Sequence, residues 1–548
     1  MAKKLSAVAA DAGVTVETVL SQGGDAFELM GAPTDLDAVA PVSGDPLQLN
    51  LDDYVGSTWA GKPIIDQAGV IAHIDSGRTE KTNAGVITYS FTDLSHLTGV
   101  YNNPNFGFTA GDGFSPFNDA QRAEARESIQ LWDDLIAPTF VEKNGVGADI
   151  QFGNSHDPAQ AYAYYPGPQG YKFQSDVFVA SPDINATNAW LGFNGYGATT
   201  IVHELGHSLG LSHPGNYNYD PDLPLTYANY AEYAQDSEQY SIMSYWAATA
   251  TGARIVDWST FLFGNEQTPL LHDILTVQAK YGADPTTRAG DTVYGFNATA
   301  GNAVYDFALN PFPYLSIYDA GGNDAIDLSG FNASVFLDLH AGSFSSAAQA
   351  APTLAAVNAN RTTLSATLGT LGNISTTSYT NTLNNYQNYN ASVIAGDTGV
   401  VGVRAMETMN ISIAYGTTIE NGVGGSARDV IWGNEVDNVL KGMGGDDVID
   451  GFEGKDTLWG GTGNDTFQFG FVEKGDRIMD FASGADKIDL TKTGVDMTWI
   501  GSGAFTHAAG QLRFAGGMLE ADVNGDGLAD LQIQVLGSAV VQSDLIFI

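Results

Sequence analysis

The chain has 548 residues, enough for two or three domains with cores of their own. Its 63 acidic residues against 22 basic ones give a formal charge of −41, which argues against nucleic acid or an anionic membrane as a partner. The absence of cysteine excludes disulfides, thiolate metal sites and cysteine-based latency, and no run of about 18 apolar residues is present to span a bilayer.

Residues 1–60 are acidic and mixed in composition. Their pattern predicts a short amphipathic helix near 7–20; the remainder reads as a leader or pro-segment, or equally as a plain extension. Asp11 and Glu17 break the apolar run after Lys3 and Lys4, so no signal-peptide core forms and export must use another signal. Farther on, Ile64, Ile65, Ile71 and Ile74 set an apolar pattern ahead of a strand at 86–91. Asn118 and Asp119 cap a helix that runs to Ile136, with Ile129, Trp132, Leu135 and Ile136 on one face. Strand signals follow at 149–152 and 176–179. Between them, residues 161–165 (AYAYY) predict either a sheet edge bordering a substrate cleft or an ordinary aromatic strand. This order suits an α+β domain, a twisted sheet packed on two helices.

Residues 199–214 read TTIVHELGHSLGLSHP. On a helix His203 and His207 share a face and aim at one point, and Glu204 stays close enough to polarise a water there. Gly210 lets the helix stop and turn, which swings His213 back as a third ligand. Three protein ligands with an open fourth position are what a catalytic zinc needs. Downstream, residues 241–246 (SIMSYW) match the Met-turn that underlies the zinc in metzincins, with Met243 at its centre. A helix over 269–281 then closes the catalytic domain, and His272 in it reads as a packing or capping residue.

The motif TTRAGDT at 286–292 opens a glycine- and aspartate-rich half. Five nine-residue units fill 424–468, beginning at Gly424, Gly433, Gly442, Gly451 and Gly460. Each carries an acidic or amide residue at its sixth place: Asp429, Asn438, Asp447, Asp456 and Asp465. Each carries an apolar one at its eighth: Ile431, Leu440, Ile449, Leu458 and Phe467. Glycines expose carbonyls, carboxylates complete an oxygen cage suited to calcium, and the apolar residue enters a stacked core. The expected architecture is a parallel β-roll. Residues 342–406 are rich in Ala, Ser, Thr and Asn and read as an insertion on the roll, partly surface loop or added coils. Residues 522–530 (DVNGDGLAD) have the look of a calcium loop without the distal Glu of an EF-hand.

Zinc helix, Met-turn and nonapeptide repeats in this order make the chain resemble the serralysin family of secreted bacterial zinc metalloproteases. The motifs are HELGHSLGLSHPG, YSIMSYW, TTRAGDTVYGFN, DAGGND and TIENGVGG followed by the repeats. The resemblance implies an N-terminal extension over 1–60, a metzincin catalytic domain over 61–285, and a calcium-binding β-roll over 286–548, sandwich-like and carrying a C-terminal secretion signal. It implies zinc on His203, His207 and His213, Tyr245 as a further movable ligand, and Glu204 as the catalytic base. It implies structural calcium held by Arg288, Gly290 and Thr292 with Asp319, Gly321 and Asp324, and by Thr418 and Glu420. Across coils it pairs Gly425, Ala427 and Asp429 with Gly442, Gly444 and Asp447. The remaining cages take Asn434, Val436 and Asn438; Gly451, Glu453 and Asp456; and Gly460, Thr462 and Asp465. Ala427, Met443 and Phe452 stand where the family prefers glycine, which weakens the outer cages. Protein substrates, an ABC-type exporter that reads the C-terminus, a proteinaceous inhibitor and a monomeric state complete these expectations. A calcium-dependent adhesin with an inert zincin domain is the alternative of another class, and a processing protease for one target a narrower one. The intact Glu204 and all three histidines favour the enzyme.

Overall fold

The computed structural model describes residues 50–91, 114–144, 147–156, 160–167, 175–217, 225–470, 472 and 474–548, together with the backbone strand at 16–19. The helix expected at 7–20 falls outside the described residues except at Val16–Val19, and there the chain is a strand. Its sequence, VETV, is mostly β-branched and suits extended backbone.

A six-stranded sheet forms the first layer. Its strands are β1 (Val16–Val19), β2 (Val86–Ser90), β3 (Thr139–Glu142), β4 (Ile150–Ser155), β5 (Ala161–Tyr164) and β6 (Val177–Ala180), in the order β1-β5-β6-β4-β2-β3. Strands β2, β3, β4 and β6 are parallel; β5 runs against β6, and β1 against β5. The tyrosine-rich stretch is therefore the antiparallel strand next to the rim of the sheet.

The helices are α1 (Gln67–Ile74), α2 (Asp119–Asp133), α3 (Tyr196–Ser208) and α4 (Leu271–Tyr281). Asn118 and Gln121 form a reciprocal capping box that starts α2. Trp132 of α2 is fully buried and donates Nε1–H to the Val202 carbonyl at 3.1 Å, which pins α2 to α3. Residues 50–60, grouped with the extension by sequence, are anchored to the catalytic half at both ends: Leu51 and Trp59 are buried, and Leu51 N donates to Tyr240 Oη at 2.7 Å.

The second half is two stacks of short parallel strands, one continuing into a C-terminal antiparallel meander, and a three-stranded sheet of Leu315–Ile317, Ile411–Ile413 and Phe344–Ser345. Coils align Leu440 with Leu458, and Ile431 with Ile449 and Phe467. All five eighth-place residues are fully buried. The stack is longer than the repeats. Leu337 pairs beside Ile431, Ile478 beside Leu458 and Ile488 beside Phe467. The last strand, Leu545–Ile546, closes one stack against Lys487–Asp489. Among the described residues no helix is long and apolar enough to cross a membrane.

The insertion adds no coils to the roll; irregular chain, exposed at Val401, flanks two helices. These form a helical hairpin of α5 (Leu354–Leu368) and α6 (Thr376–Thr398), capped by Thr353 and Ser375 and ended at Gly369 and Gly399. Leu364, Leu368 and Leu371 pack on Trp190, Tyr196 and Leu262. Val357, Ile374 and Tyr386 join Trp258, Phe261 and Met406. The hairpin thus clasps segment 253–263 of the catalytic half. Arg361, buried between them, donates Nε–H to Gly372 O and Nη1–H to Thr260 O, both at 2.8 Å. Removing it strands the buried Thr260 carbonyl and leaves a cavity between hairpin and segment, so Arg361→Ala is expected to destabilise the fold by about 1–3 kcal/mol. Thermal unfolding measures this; an unchanged midpoint would show that the clasp contributes nothing.

Candidate metal centre

Helix α3 ends where the motif predicts. Gly210 has φ +87°, and a β-carbon there would lie 1.9 Å from Arg78 O, so only glycine fits the turn. The chain reverses, and His213 comes back beside His203 and His207; their ligand atoms lie within 4.8 Å of one another and all three residues are buried.

Each ring is oriented by a main-chain carbonyl. His203 Nδ1 meets Ile242 O at 2.6 Å, His207 Nδ1 meets Leu211 O at 2.7 Å, and His213 Nδ1 meets Tyr217 O at 3.1 Å. A carbonyl only accepts, so each Nδ1 carries the proton and each Nε2 presents a lone pair. His203 Nε2 and His207 Nε2 face each other at 3.2 Å. Two lone pairs so close repel unless a cation lies between them, and three convergent neutral imidazoles fit zinc. Burial, with His213 nearby, holds His203 down to about 3; burial also keeps His207 well below its ordinary value. Both rings therefore stay in the ligating form.

Glu204 follows His203 on the helix and is fully buried. Tyr245 is half-buried, its ring 4.3 Å from that of His213. Met243 lies directly beneath: a β-carbon at Gly206 would come within 2.6 Å of its Sδ. Asp273, at the start of α4, holds the turn by accepting from Ser241 Oγ at 2.6 Å and Ile242 N at 2.7 Å. Its neighbour His272 is a packing residue, with Nε2 3.0 Å from Asp52 Oδ2 and its ring against Tyr240.

The predicted calcium residues also converge. Thr292 N donates to Asp324 Oδ1, Thr292 Oγ1 to Gly290 O, and Asp324 N to Glu420 Oε2. The Arg288 carbonyl accepts weakly from Thr292 Oγ1 at 3.4 Å, and Gly321 N donates to Asp319 Oδ1. Thr418 stands next to Thr417, whose hydroxyl bonds to the Asp319 carbonyl. In the repeats the last three sixth-place residues each cap the one a full coil earlier: Asp447 Oδ1 accepts from Asp429 N, Asp456 from Asn438 N, Asp465 from Asp447 N. Gly425 N donates to Asp429 Oδ2, and side-chain room at Gly442, Gly451 and Gly460 is taken by the aspartate of the same unit. Gly444 bridges to Thr462 in the next coil, while the Ala427 and Val436 carbonyls press on Gly445 and Gly454. Glu453 is exposed, so only its main chain faces the turn. Met443 and Phe452 adopt φ of +74° and +64°, the conformation for which glycine is preferred.

No protein donor reaches Oδ2 of Asp324, Asp447 or Asp465, all buried. Burial, then the neighbouring carboxylates, push Asp429 up to about 8, Asp447 to about 7 and Asp465 to about 6. Oxygen cages with that surplus of negative charge fit a hard divalent cation. Asn438 differs. Its Nδ2 donates to Glu420 O at 3.0 Å and Asn434 Oδ1 at 2.9 Å, placing a donor where the other cages turn a carboxylate oxygen inward.

Comparison with known proteins decides the family. Residues 283–398 and 370–547 match the family described as Peptidase M10 serralysin C terminal. The chain is 38% identical over 452 residues to the metallopeptidase AprA of Pseudomonas marginalis, spanning 79% of this chain and 81% of that protein. It is 36% identical over 517 residues to the metalloprotease AprA of Pseudomonas entomophila, spanning 89% and 92%, and 36% identical over 464 residues to the serralysin of Proteus mirabilis, spanning 79% and 76%. The chain belongs to the serralysin family. It is a zinc metalloendopeptidase.

In this serralysin the aspartate ladder runs past the repeats. Asp476 Oδ1 caps Asp456 N and Asp486 Oδ1 caps Asp465 N, 20 and 21 residues on instead of 18. That slip hides both from a nine-residue period. Asp236, which binds Tyr217, Ser244 and Trp246 around the zinc-site wall, has no motif to announce it.

The raised carboxyls fix the sign of a pH effect. Unfolded, they titrate near 4; folded and metal-free, at about 6–8. Their contribution to stability is full below about pH 4 and is lost as pH rises through about 6–8. With calcium chelated, the unfolding midpoint should fall between about pH 5 and about pH 8, and added calcium should remove the dependence. Equal chelated midpoints at the two pH values would refute it.

Proposed function

We propose that the chain is a secreted endopeptidase in which His203, His207 and His213 hold zinc, Glu204 is the general base, and calcium in the roll stabilises the fold. The observation that carries this is the set of three Nδ1–carbonyl hydrogen bonds, which turn three Nε2 lone pairs toward one point beside a buried glutamate. When bound, zinc supplies Lewis acidity to a scissile carbonyl and to a water molecule. Glu204 takes the proton of the attacking water and returns it to the leaving amine. Tyr245 turns its hydroxyl to the carbonyl oxygen and donates to the oxyanion as it develops. Strand β5 leads into Tyr165, whose ring stands 5.6 Å from that of His207, so a substrate strand pairing beside β5 lies along the centre.

Calcium occupancy also supports secretion. The C-terminal strand is built into the folded roll, where buried Asp544 accepts from Ser483 Oγ, Gly484 N and Val541 N. An exporter that reads this end must meet it before the roll folds. In calcium-poor cytoplasm the acidic cages repel, and outside the cell the cation neutralises them.

Residues 1–49 act as a pro-segment in this reading. Strand β1 pairs with β5, Val16 opposite Tyr164 and Val19 opposite Ala161, along the edge a substrate needs. A chain lacking residues 1–49 is expected to show a higher kcat/KM than the uncleaved full chain; equal values would reject latency.

Glu204→Gln is expected to lower casein hydrolysis roughly 10²–10⁴-fold with zinc content unchanged, and Tyr245→Phe to lower kcat far more than it raises KM. Full activity of Glu204→Gln with zinc bound would end the general-base assignment.

A further inference from the structure

The wall that carries Tyr245 is tied together by one buried carboxylate. Asp236 is fully buried, and its Oδ1 accepts from Tyr217 Oη and from Ser244 Oγ, both at 2.8 Å, while its Oδ2 accepts from Trp246 Nε1 at 3.1 Å. Ser244 and Trp246 are the residues on either side of Tyr245. They are also joined to each other, since Trp246 N donates to Ser244 Oγ at 3.2 Å. Beyond them, Glu238 N donates to Trp246 O at 2.7 Å, closing the segment 236–246 on itself.

The third donor comes from the other side of the centre. Tyr217 gives its carbonyl to His213 Nδ1, and its ring stacks on that imidazole, centroids 5.6 Å apart and planes within 6°. The same ring touches Tyr245 at 5.2 Å and Trp246 at 4.8 Å. One carboxylate therefore links the loop that orients the third histidine to both main-chain neighbours of the movable tyrosine.

From this we infer that Asp236 is a positioning residue: it fixes the two hinges of Tyr245 and the Tyr217 ring beneath it, so that the tyrosine hydroxyl swings along one path to the oxyanion. The inference rests on the reading of Tyr245 as oxyanion donor. A rigid pivot matters because misplacement of a catalytic group by about 1 Å costs on the order of a hundredfold in rate. Two hydroxyls and an indole N–H need an acceptor that can hold all three, and a carboxyl offers two oxygens on one rigid plane where a water or an amide offers a single acceptor oxygen.

The test is a double-mutant cycle on the full chain with zinc and calcium bound. Asp236→Ala is expected to lower kcat roughly ten- to hundredfold, with KM within about twofold and zinc stoichiometry unchanged. In the Tyr245→Phe background the same substitution should cost no more than about threefold, because the group it positions is already gone. An equal loss in both backgrounds, or a loss that follows zinc content alone, overturns the inference and leaves the role of Tyr245 standing. A Tyr245→Phe enzyme as fast as the wild type instead removes the oxyanion reading, and the inference with it. Where Asp236→Ala fails to fold, Tyr217→Phe keeps the ring on His213 and removes one of the three donors. It should show the same dependence on Tyr245 with a loss of several-fold, and parallel losses in the two backgrounds overturn the inference as before.

Discussion

Three hydrogen bonds from imidazole Nδ1 to main-chain carbonyls set the metal centre, and the chain around it is arranged to bring those carbonyls into place. Ile242 O belongs to the Met-turn, Leu211 O to the helix exit and Tyr217 O to the loop after the third histidine. Each is placed by a different device. Asp273 at the head of α4 grips Ser241 and Ile242; Gly210 turns the chain against Arg78; the Tyr217 ring lies flat on the His213 imidazole. A carbonyl acceptor leaves each ring a single tautomer, and burial keeps it neutral, so the ligand geometry is set before any ion arrives.

The roll follows the opposite logic. Where the metal centre satisfies every ring through main chain, the cages leave buried carboxylate oxygens with no protein donor, and each carboxylate raises its neighbour. Such a stack keeps buried carboxylate oxygens without a protein donor, and a cation that filled the cages would add its binding energy to folding. Asn438 is the instructive exception, since an amide nitrogen bonded to Glu420 O and Asn434 Oδ1 closes its cage with protein atoms alone. The nine-residue period is kept there, yet the chemistry has changed from charge awaiting a cation to a neutral hydrogen-bonded turn.

What was legible in the sequence was whatever repeats at a fixed spacing. His203 and His207 at one helical turn, Gly210 after them, and the buried eighth-place residues from Ile431 to Phe467 all follow from periodicity and one glycine. The hairpin of α5 and α6 was not legible, because its Ala-, Thr- and Asn-rich helices carry little amphipathic contrast and bury scattered residues such as Val357, Arg361 and Tyr386. Asp476 and Asp486 were hidden by extra residues that shift the ladder from 18 to 20 and 21. The strand at 16–19 belongs to β1 because an edge was available at β5, a tertiary fact that overrode a helical pattern. Asp236 serves partners 19, 8 and 10 residues away, a spacing of no regular element.

These parts are not independent modules joined by a linker. Thr199 of α3, one turn before His203, donates to Glu266 O at 2.7 Å, and the residues just after it lean on the roll: Gln267 N donates to Tyr314 O, and Ser316 N to Thr268 Oγ1, both at 2.9 Å. The strand of Tyr314's neighbours, Leu315–Ile317, pairs in turn with Ile411–Ile413, where the chain returns from the hairpin. Trp258 Nε1 adds a bond to Met406 O, and Arg288 reaches back to Asp134 behind α2. The zinc helix is thus braced through 266–268 by the second half, at Tyr314 and the sheet that Leu315–Ile317 forms with Ile411–Ile413. A chain whose roll is unfolded lacks the brace as well as the cages. Under the proposed reading, a cation that completed the cages would therefore also firm the support on which the zinc helix rests.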